Sequence, residues 1–272
     1  MKDASEYIQQ YINPFLLLLD QNVSSVFNLE TAQFTHFILA NPIPSCIRNW
    51  AYLPIFELGG TLLTGGIEAD CSADSACLWL DHETGCLKPQ SNMTVSRLFQ
   101  GMAYFNGRAY VFGGETAPGL LPLASAESLY IHKDLLVSAW TAVPNPMVQA
   151  RSHINPCVYH NLVYLTAGGH PSLEVFSAPD QCFYPLKVGL LDSGPCIVAA
   201  GEDGLVVVTK AFVYRVNLST YEVKVVNHEV CTMHANSPSL LYEGCVYAAR
   251  DGELVSVNIY TGVVRTEEEI CH

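Results

Sequence analysis

The chain has 272 residues, half of them apolar, which is enough for a single globular core. Its formal net charge is -13 with only 13 lysines and arginines, which argues against a nucleic-acid partner because phosphate binding needs clustered basic side chains. The same shortage of cations disfavours an anionic membrane surface.

The N-terminal residues predict neither a membrane span nor a secretion signal. The apolar run at residues 12–19 is interrupted by Pro14 and ends at Asp20, so it is too short to cross a bilayer, and a basic n-region and cleavage site are missing. We therefore predict a cytoplasmic protein whose cysteines are buried, reduced thiols rather than a disulfide framework, since most lie in apolar strand patterns without tight spacing. The ten are Cys46, Cys71, Cys77, Cys86, Cys157, Cys182, Cys196, Cys231, Cys245 and Cys271.

A four-strand unit repeats along the chain, and its first copy spans residues 6–40. We predict strands at EYIQQYI, FLLLLD, SSVFNLE and QFTHFIL. Residues 7–19 also fit a helix by spacing, but Pro14 in the middle would cost a helix about 3 kcal/mol, which favours the strands. Aligned without gaps on the last copy, Asn28 falls on Asn258 and Thr31 on Thr261.

The second copy, residues 48–93, has predicted strands at 51–56, 61–64, 76–80 and 86–88, with a longer loop near 68–74. The third copy, residues 97–147, is the clearest. It has an alternating hairpin at 101–105 and 108–113 around Asn106-Gly107, the doublet Gly113-Gly114, and strands near 127–131 and 137–143, the last carrying Trp140.

Three further copies follow. The fourth, residues 151–188, has a hairpin at His160-Asn161 and the doublet Gly168-Gly169. The fifth, residues 189–227, contains CIVAAGE, LVVVTK, AFVYRVNL and YEVKVVN, and the sixth, residues 231–270, contains PSLLYEG, CVYAAR, ELVSVNI and VVRTEEE.

A second signature supports the count of six copies. An Asn or Asp stands three residues before a Thr between the third and fourth strands, where its side chain would cap a tight turn by bonding backbone N–H groups. It occurs at Asn28, Asp81, Asn217 and Asn258.

The third copy resembles the kelch motif, which is a hydrophobic hairpin ending in Gly-Gly, a strand with Leu-Tyr, and a Trp after a polar turn. The fourth copy fits less fully, with Phe183 in place of the Trp, and the second keeps Gly65-Gly66 but has Cys86 and Leu87 where the Trp would be. From residue 189 onward both the doublet and the Trp are missing. The resemblance implies a β-propeller.

We therefore predict an all-β fold, a six-bladed kelch-like β-propeller of four-stranded antiparallel blades forming one domain over residues 1–272. Sheets packed face to face in a ring bury both of their faces. The predicted blades are residues 6–46, 47–94, 95–146, 147–188, 189–230 and 231–272. Either the first copy supplies all four of its strands, or the acidic tail at 267–269 swaps against residues 1–6.

The loops that enter the innermost strands are where a propeller would hold a ligand. Counting back 16 to 17 residues from the glycine doublets gives one position per copy, occupied by three of the seven arginines. We predict a ligand-binding mouth for a carboxylate-bearing partner, formed by Arg48, Arg97, Arg151, His153, Asp192 and His234. The alternative is that this Arg belongs to the repeat itself and holds backbone carbonyls of a neighbouring blade.

No catalytic, cofactor or metal site is predicted. Cys71, Cys77, Cys86 and His82 share one blade, but their spacing is irregular for zinc, and no nucleophile elbow, phosphate loop or dinucleotide fingerprint occurs.

The predicted function is therefore that of a kelch-type protein–protein interaction module, an adaptor rather than an enzyme, which binds a peptide or protein through its loop face. As the resemblance implies for kelch proteins, the partner could be an acidic motif held by the Arg-lined mouth. Two alternatives remain: a kelch-fold small-molecule enzyme such as a sialic-acid epimerase-like protein acting on a carboxylate-bearing substrate, and a structural part of a larger assembly.

Overall fold

A computed structural model describes the strands and most of their connections: residues 15–19, 23–28, 33–41, 43–44, 47–48, 50–117, 119, 121–131, 138–168, 170–189, 196–201, 204–209, 212–227, 239–250 and 253–269. The structure is built from antiparallel strands and one 3-10 turn, Phe56–Leu58. Five sheets have four strands each, and we number these blades 1 to 5 in chain order.

The first part of the chain forms a three-stranded sheet and blade 1. The strands of the N-terminal sheet are β1 (Phe15–Leu19), β2 (Val23–Asn28) and β3 (Gln33–Ile38). Next come β4 (Ile47–Arg48), β5 (Ala51–Ile55), β6 (Gly60–Thr64), β7 (Ile67–Glu68), β8 (Cys77–Asp81) and β9 (Leu87–Pro89). Blade 1 consists of β5, β6, β8 and β9, while β4 and β7 pair with each other beside it.

The other four blades are meanders whose strands pair in sequence order. Blade 2 contains β10 (Gly101–Phe105), β11 (Arg108–Phe112), β12 (Ala126–Tyr130) and β13 (Thr141–Ala142). Blade 3 contains β14 (Ser152–Tyr159), β15 (Leu162–Gly168), β16 (His170–Ser177) and β17 (Cys182–Gly189). Blade 4 contains β18 (Cys196–Gly201), β19 (Gly204–Thr209), β20 (Val213–Asn217) and β21 (Val223–Asn227). Blade 5 contains β22 (Ser239–Tyr242), β23 (Cys245–Arg250), β24 (Glu253–Asn258) and β25 (Val264–Glu269).

The blades are arranged as a β-propeller with the first strand of each blade innermost. Consecutive first strands are in contact around the ring: β5 with β10, β10 with β14, β14 with β18, and β18 with β22. The N-terminal sheet lies next to both ends of this series. Its β1 contacts β23 of blade 5, and the Ala40 N–H, just after β3, donates to the carbonyl of Gly85 in blade 1.

The predicted count of six four-stranded blades is wrong, because the described residues form five. The predicted first copy contributes three strands, and its first predicted strand, EYIQQYI, lies outside the described residues. A shift of 230 residues moves β1 onto β23, the second strand of blade 5, so β1 occupies a second-strand position. The helix alternative for residues 7–19 is wrong at Phe15–Leu19, which is a strand, and residues 7–14 are not described.

The gapless alignment of the first and last copies is confirmed. A shift of 230 residues moves β2 onto β24, from 23 to 253 and from 28 to 258. The pairing register also matches, because Phe15 pairs with Asn28 as Cys245 pairs with Asn258. The tail residue Glu269 pairs with Glu253 of its own blade, while residues 1–6, its predicted exchange partner, lie outside the description.

The predicted side-chain caps are confirmed in three blades. Oδ1 of Asp81 accepts the N–H groups of residues 83 and 84, at 3.0 and 3.1 Å. The Oδ1 atoms of Asn217 and Asn258 accept from the equivalent N–H groups at 2.9 to 3.0 Å. These bonds satisfy backbone N–H groups that have no backbone acceptor in a tight turn. The side chain of Asn28 lies outside the described part.

The core lies in the seams between blades. Successive residues of a strand point to opposite faces, and both faces of β19 are covered, so this strand is buried along its whole length. Tyr110 and Phe112 pack towards Phe176 of blade 3, whereas Val111 packs towards blade 1. Trp79 and Trp140 share the seam between blades 1 and 2.

The two faces of the ring differ in their connections. In an antiparallel meander, the connections from second to third strand and from one blade to the next lie on one face. The turns from first to second strand and from third to fourth strand lie on the other. We call these the loop face and the turn face. On the loop face, the longest connections from second to third strand are residues 65–76 of blade 1 and 113–125 of blade 2.

Candidate functional site: the mouth of the loop face

Arg97 lies at the start of blade 2 and is fully buried against its own sheet. Its Nε and Nη2 atoms donate to Oε1 of Glu127, at 3.3 and 3.0 Å. Nη1 donates to the carbonyls of Gly113 and Ser125, and Nη2 also donates to Oγ of Ser125. The five N–H donors of a guanidinium are thereby matched by five hydrogen bonds. None is left for a carboxylate of a partner.

Arg151 repeats this arrangement in blade 3. Its Nε donates to Oε2 of Glu174 at 3.2 Å, and Nη1 donates to the carbonyl of Ser172 at 2.8 Å. Both side chains of the ion pair are buried. Each Arg therefore meets a Ser-x-Glu sequence on the third strand of its blade, Ser125-Ala-Glu127 or Ser172-Leu-Glu174.

The two glutamates also bind the chain just before the arginines. Oε2 of Glu127 accepts the N–H and hydroxyl of Thr94, at 2.7 and 2.6 Å, and Glu174 accepts the N–H of Val148. Thr94 and Val148 each lie three residues before the Arg of their blade. Burial lowers the pKa of the Arg97 guanidinium, and the Glu127 carboxylate acts in the opposite direction. Hydrogen bonds thus satisfy both members of the pair inside the protein.

The backbone of each Arg is bonded to the preceding blade. The carbonyl of Arg97 accepts the N–H of Gly66, and that of Arg151 accepts the N–H of Gly114, at 3.0 and 2.9 Å. The first glycine of each doublet packs directly on the same carbonyl. A Cβ on Gly65 or Gly113 would lie 2.4 or 2.3 Å from it. The glycine doublets are therefore required by this close approach between blades.

Arg48 does not share the position of the other two arginines. It pairs with Ile67, the residue that follows the glycine doublet of blade 1. In blade 2 the residue that follows the glycine doublet is Glu115, and it pairs with Leu98. Arg48 therefore corresponds to Leu98 and not to Arg97. Arg48 lies 17 residues before its doublet and Arg97 lies 16 before its own, so a similar spacing from a doublet did not mean an equal position.

The geometry thus corrects the predicted mouth. Arg97 and Arg151 are equivalent, but their side chains are enclosed by their own blades instead of being exposed at the rim. The alternative stated above, that this Arg belongs to the repeat, fits their contacts, with the difference that the carbonyls they hold are in their own blade. Asp192 and His234 lie outside the described residues.

His153 does lie at the rim, two residues after Arg151. It is half-buried and adopts a φ of 52°. Its ring stacks on that of Phe99, with centroids 4.2 Å apart. Its backbone N–H donates to the carbonyl of Phe99. Phe99 follows Arg97 by the same two residues and has a φ of 56°. Equivalent residues of neighbouring blades therefore form a stacked pair at the mouth.

Two buried polar side chains adjoin this pair. Gln100 is 4% exposed, and its Nε2 donates to the carbonyl and the hydroxyl of Thr64. Its Oε1 has no hydrogen-bond partner among the described residues. Glu115 is 8% exposed and accepts the N–H of Gly119 through Oε2 at 3.2 Å. Burial lowers the pKa of His153, and Glu115 opposes that shift.

The loop face exposes two large apolar side chains, Leu121 and Val148, which we call the apolar patch. Leu121 is 88% exposed and Val148 is 56% exposed. They lie on adjacent segments, because Leu123 and Arg151 form an antiparallel bridge and the Met147 N–H donates to the carbonyl of Ala124. By contrast, the exposed Tyr130 and Tyr260 of the turn face have the guanidiniums of Arg108 and Arg215 over their rings.

Neither metal ligation nor disulfide bonding is found where the structure describes the chain. Within the described ranges no three His, Cys, Asp or Glu side chains are grouped to hold a metal ion. The side chains of six cysteines are described, and all six are free thiols. Burial raises the pKa of Cys77 and of Cys157 to about 12, which makes both poor nucleophiles.

Comparison with known proteins adds no family. No protein-family model and no curated protein matches this chain. Among the residues whose structure is described, no helix is long and apolar enough to cross a membrane.

Sequence reasoning missed Glu127, Glu174, Gln100, Glu115 and the apolar patch. For the two glutamates a signal was present, since each is the only acidic residue in an otherwise apolar or small third strand and follows a Ser by two residues. For Gln100 and Glu115 the sequence spacing gave no indication that they belong to the site, because their positions depend on how neighbouring blades pack against each other.

Proposed function

We propose that this chain is a protein-interaction module that binds a protein partner through the loop face of its propeller. The observation that carries the proposal is the apolar patch. Large apolar side chains exposed beside polar groups mark interaction surfaces, because their burial against a partner removes apolar area from water. Leu121 and Val148 have this setting, since Gln149 and the Phe99–His153 pair lie on the same face.

The construction of the blades supports the proposal. Buried ion pairs fix Arg97 and Arg151 within blades 2 and 3, and the glycine doublets of blades 1 and 2 pack on the backbones of these arginines. The loops at residues 65–76 and 113–125 therefore stand on a rigid base. A rigid base limits the conformational entropy that binding costs. The kelch-like hairpins fit this role, but an acidic motif held by the arginines does not enter the proposal, because the Arg97 guanidinium is fully engaged.

Site-specific photo-crosslinking tests the proposal. A photoreactive amino acid replaces Leu121 in one sample and Tyr221, on the turn face, in a control sample, both in cells that make the protein. We expect one protein to be trapped reproducibly from position 121 and not from position 221. Equal trapping at both positions, or none at 121, would contradict the proposal.

The trapped protein then allows an affinity measurement. We expect Leu121→Asp to weaken its binding to the purified chain about tenfold or more, since a buried leucine contributes roughly 1.5–3 kcal/mol. Val263→Asp, an equally drastic change at an exposed residue of the turn face, should leave the affinity unchanged. Turnover of an acylated amino sugar by the pure chain would instead favour the enzyme alternative.

A further inference from the structure

The groups around the Phe99–His153 pair are hydrogen-bond acceptors. Oε1 of Gln100 is buried and lacks a hydrogen-bond partner within the described ranges, while Nε2 of the same amide is used on Thr64. A buried amide oxygen without a donor costs about 1–3 kcal/mol, so it marks a place where a donor from outside the chain would be stabilised.

These groups are held together by the backbone. Leu98 pairs with Glu115 in both directions, with N–H to carbonyl distances of 2.9 Å. Phe99 and Gln100 follow Leu98 directly, and the backbone of Gln100 approaches Gly114, next to Glu115. The backbone N–H of His153 donates to the carbonyl of Phe99. The backbones of Phe99, Gln100, Glu115 and His153 are therefore neighbours, and we call these four residues the acceptor site.

The charge of the acceptor site is negative. The two nearest buried cations, Arg97 and Arg151, are paired with Glu127 and Glu174, so Glu115 is the remaining charged group among these residues. Burial lowers the pKa of His153, which keeps its imidazole neutral at neutral pH. A neutral imidazole offers a ring nitrogen as a further acceptor, and the half-buried Phe99 ring adds a π face that attracts cations.

We propose that the acceptor site binds a cationic side chain, a lysine ammonium or an arginine guanidinium, of the protein partner. This inference rests on the proposed function and specifies the chemistry of the partner. It reverses the acidic partner that the arginines alone suggested. A formal charge of -13 on the whole chain favours the approach of a basic surface, and a donor-only group with several N–H bonds matches the acceptors offered by Gln100 Oε1, the Glu115 carboxylate and one ring nitrogen of His153.

NMR titration of the full, isotope-labelled chain tests the site without knowledge of the partner. The probes are N-acetyl-arginine methylamide and N-acetyl-glutamate methylamide, which share a backbone and differ in the sign of the side chain. We expect the arginine probe to give saturable shifts of the Gln100 side-chain amide and the His153 ring signals. Tighter binding of the glutamate probe, or no saturable shift with the arginine probe, would overturn the inference.

Two variants locate the binding. Glu115→Gln removes the charge and keeps the shape, and we expect it to weaken the arginine probe about tenfold. Its matched control is Glu243→Gln, which removes the same charge from an exposed turn on the opposite face and should change nothing. His153→Asn, where asparagine tolerates the left-handed backbone, should also weaken the probe. Equal affinity in Glu115→Gln and wild type would overturn the inference.

The outcomes separate the two proposals. A protein trapped from position 121 together with no binding of the arginine probe would keep the interaction module and reject the acceptor site. Binding of the probe that depends on Glu115, with nothing trapped from position 121, would keep the site and reject the apolar patch as the binding surface.

Discussion

Arg97 and Glu127 form a buried pair whose every polar atom has been matched within blade 2. Desolvating two charges is costly, and the arrangement is stable only while both partners are present. A buried pair that loses one member leaves an uncompensated charge, and the same reasoning applies to Arg151 and Glu174.

We therefore predict that Glu127→Ala lowers the free energy of unfolding by about 3–5 kcal/mol. The change leaves the Arg97 guanidinium and the Thr94 N–H without their acceptor. Urea unfolding followed by tryptophan fluorescence measures it. Arg97→Met combined with Glu127→Leu should recover most of the loss, because no buried charge remains.

The exposed pair Lys88–Asp81 provides the control for this prediction. Its N–O distance of 2.9 Å is as short as that of the buried pair, but its side chains are 49% and 20% exposed. Solvent screens such a pair, so Lys88→Ala should change stability far less. An equal loss in both variants would show that the buried pair is not special.

The thiols should differ in reactivity according to burial. Cys77 and Cys157 are buried and have a pKa of about 12, so almost no thiolate exists at pH 8, while Cys71 is exposed. We predict that iodoacetamide modifies Cys71 in the folded protein and reaches Cys77 and Cys157 only after unfolding. Peptide mass spectrometry with and without urea measures the order, and early modification of Cys157 would contradict it.

At the scale of elements, the glycine doublets join blades rather than merely ending strands. Gly113 has a φ of 55°, and a Cβ there would lie 2.3 Å from the Arg151 carbonyl. We predict that Gly113→Ala destabilises the protein by more than the roughly 1–2 kcal/mol that a left-handed backbone alone costs an alanine. Thermal unfolding measures this.

Gly59→Ala separates the two causes of that loss. Gly59 has a similar φ of 69°, but nothing lies within 4 Å of the position of its Cβ. The variant should therefore show only the backbone cost. If both variants lost the same stability, the contact between blades 2 and 3 would contribute nothing.

The elements were largely predictable from the sequence. Alternation and the Asn106-Gly107 turn located β10 and β11, which the structure places at Gly101–Phe105 and Arg108–Phe112. The Asn and Asp caps located the turns of blades 1, 4 and 5, because that signal is local. The number of complete blades was not predictable in the same way, since a strand pattern does not show whether its neighbours complete a sheet.

The candidate site was less predictable, for a reason that Arg48 illustrates. Distance from a glycine doublet indicates which loop a residue lies in, but not its register within the loop, and one residue of shift placed Arg48 level with Leu98. The spacing of the repeats also could not show that Glu127, thirty residues away, would form an ion pair with Arg97.

At the scale of the whole molecule, two histidines make stability depend on pH. Burial lowers the pKa of His82 and of His153, against the smaller opposite effects of Asp81 and Glu115. The unfolded chain therefore binds these protons at a higher pH than the folded chain. Their stabilising contribution is present above the unfolded pKa of about 6.5 and is lost as pH falls through the folded values.

We predict that the urea midpoint falls between pH 7.5 and pH 5.5, and that His82→Gln combined with His153→Asn makes this fall shallower. Asp81 contributes little to the slope here, because Lys88 lowers its pKa to about 2. His160→Gln, at an exposed hairpin turn, is the control and should leave the slope as it is. A slope equal in all three proteins would contradict the role of the two buried rings.

The longest connections from second to third strand belong to blades 1 and 2, whereas the hairpin turn at Glu243-Gly244 belongs to blade 5 and opens on the opposite face. A fluorescent reporter inserted at this turn would therefore point away from any molecule held on blades 1 and 2. Such a fusion offers a way to follow the protein in living cells while its partner stays bound.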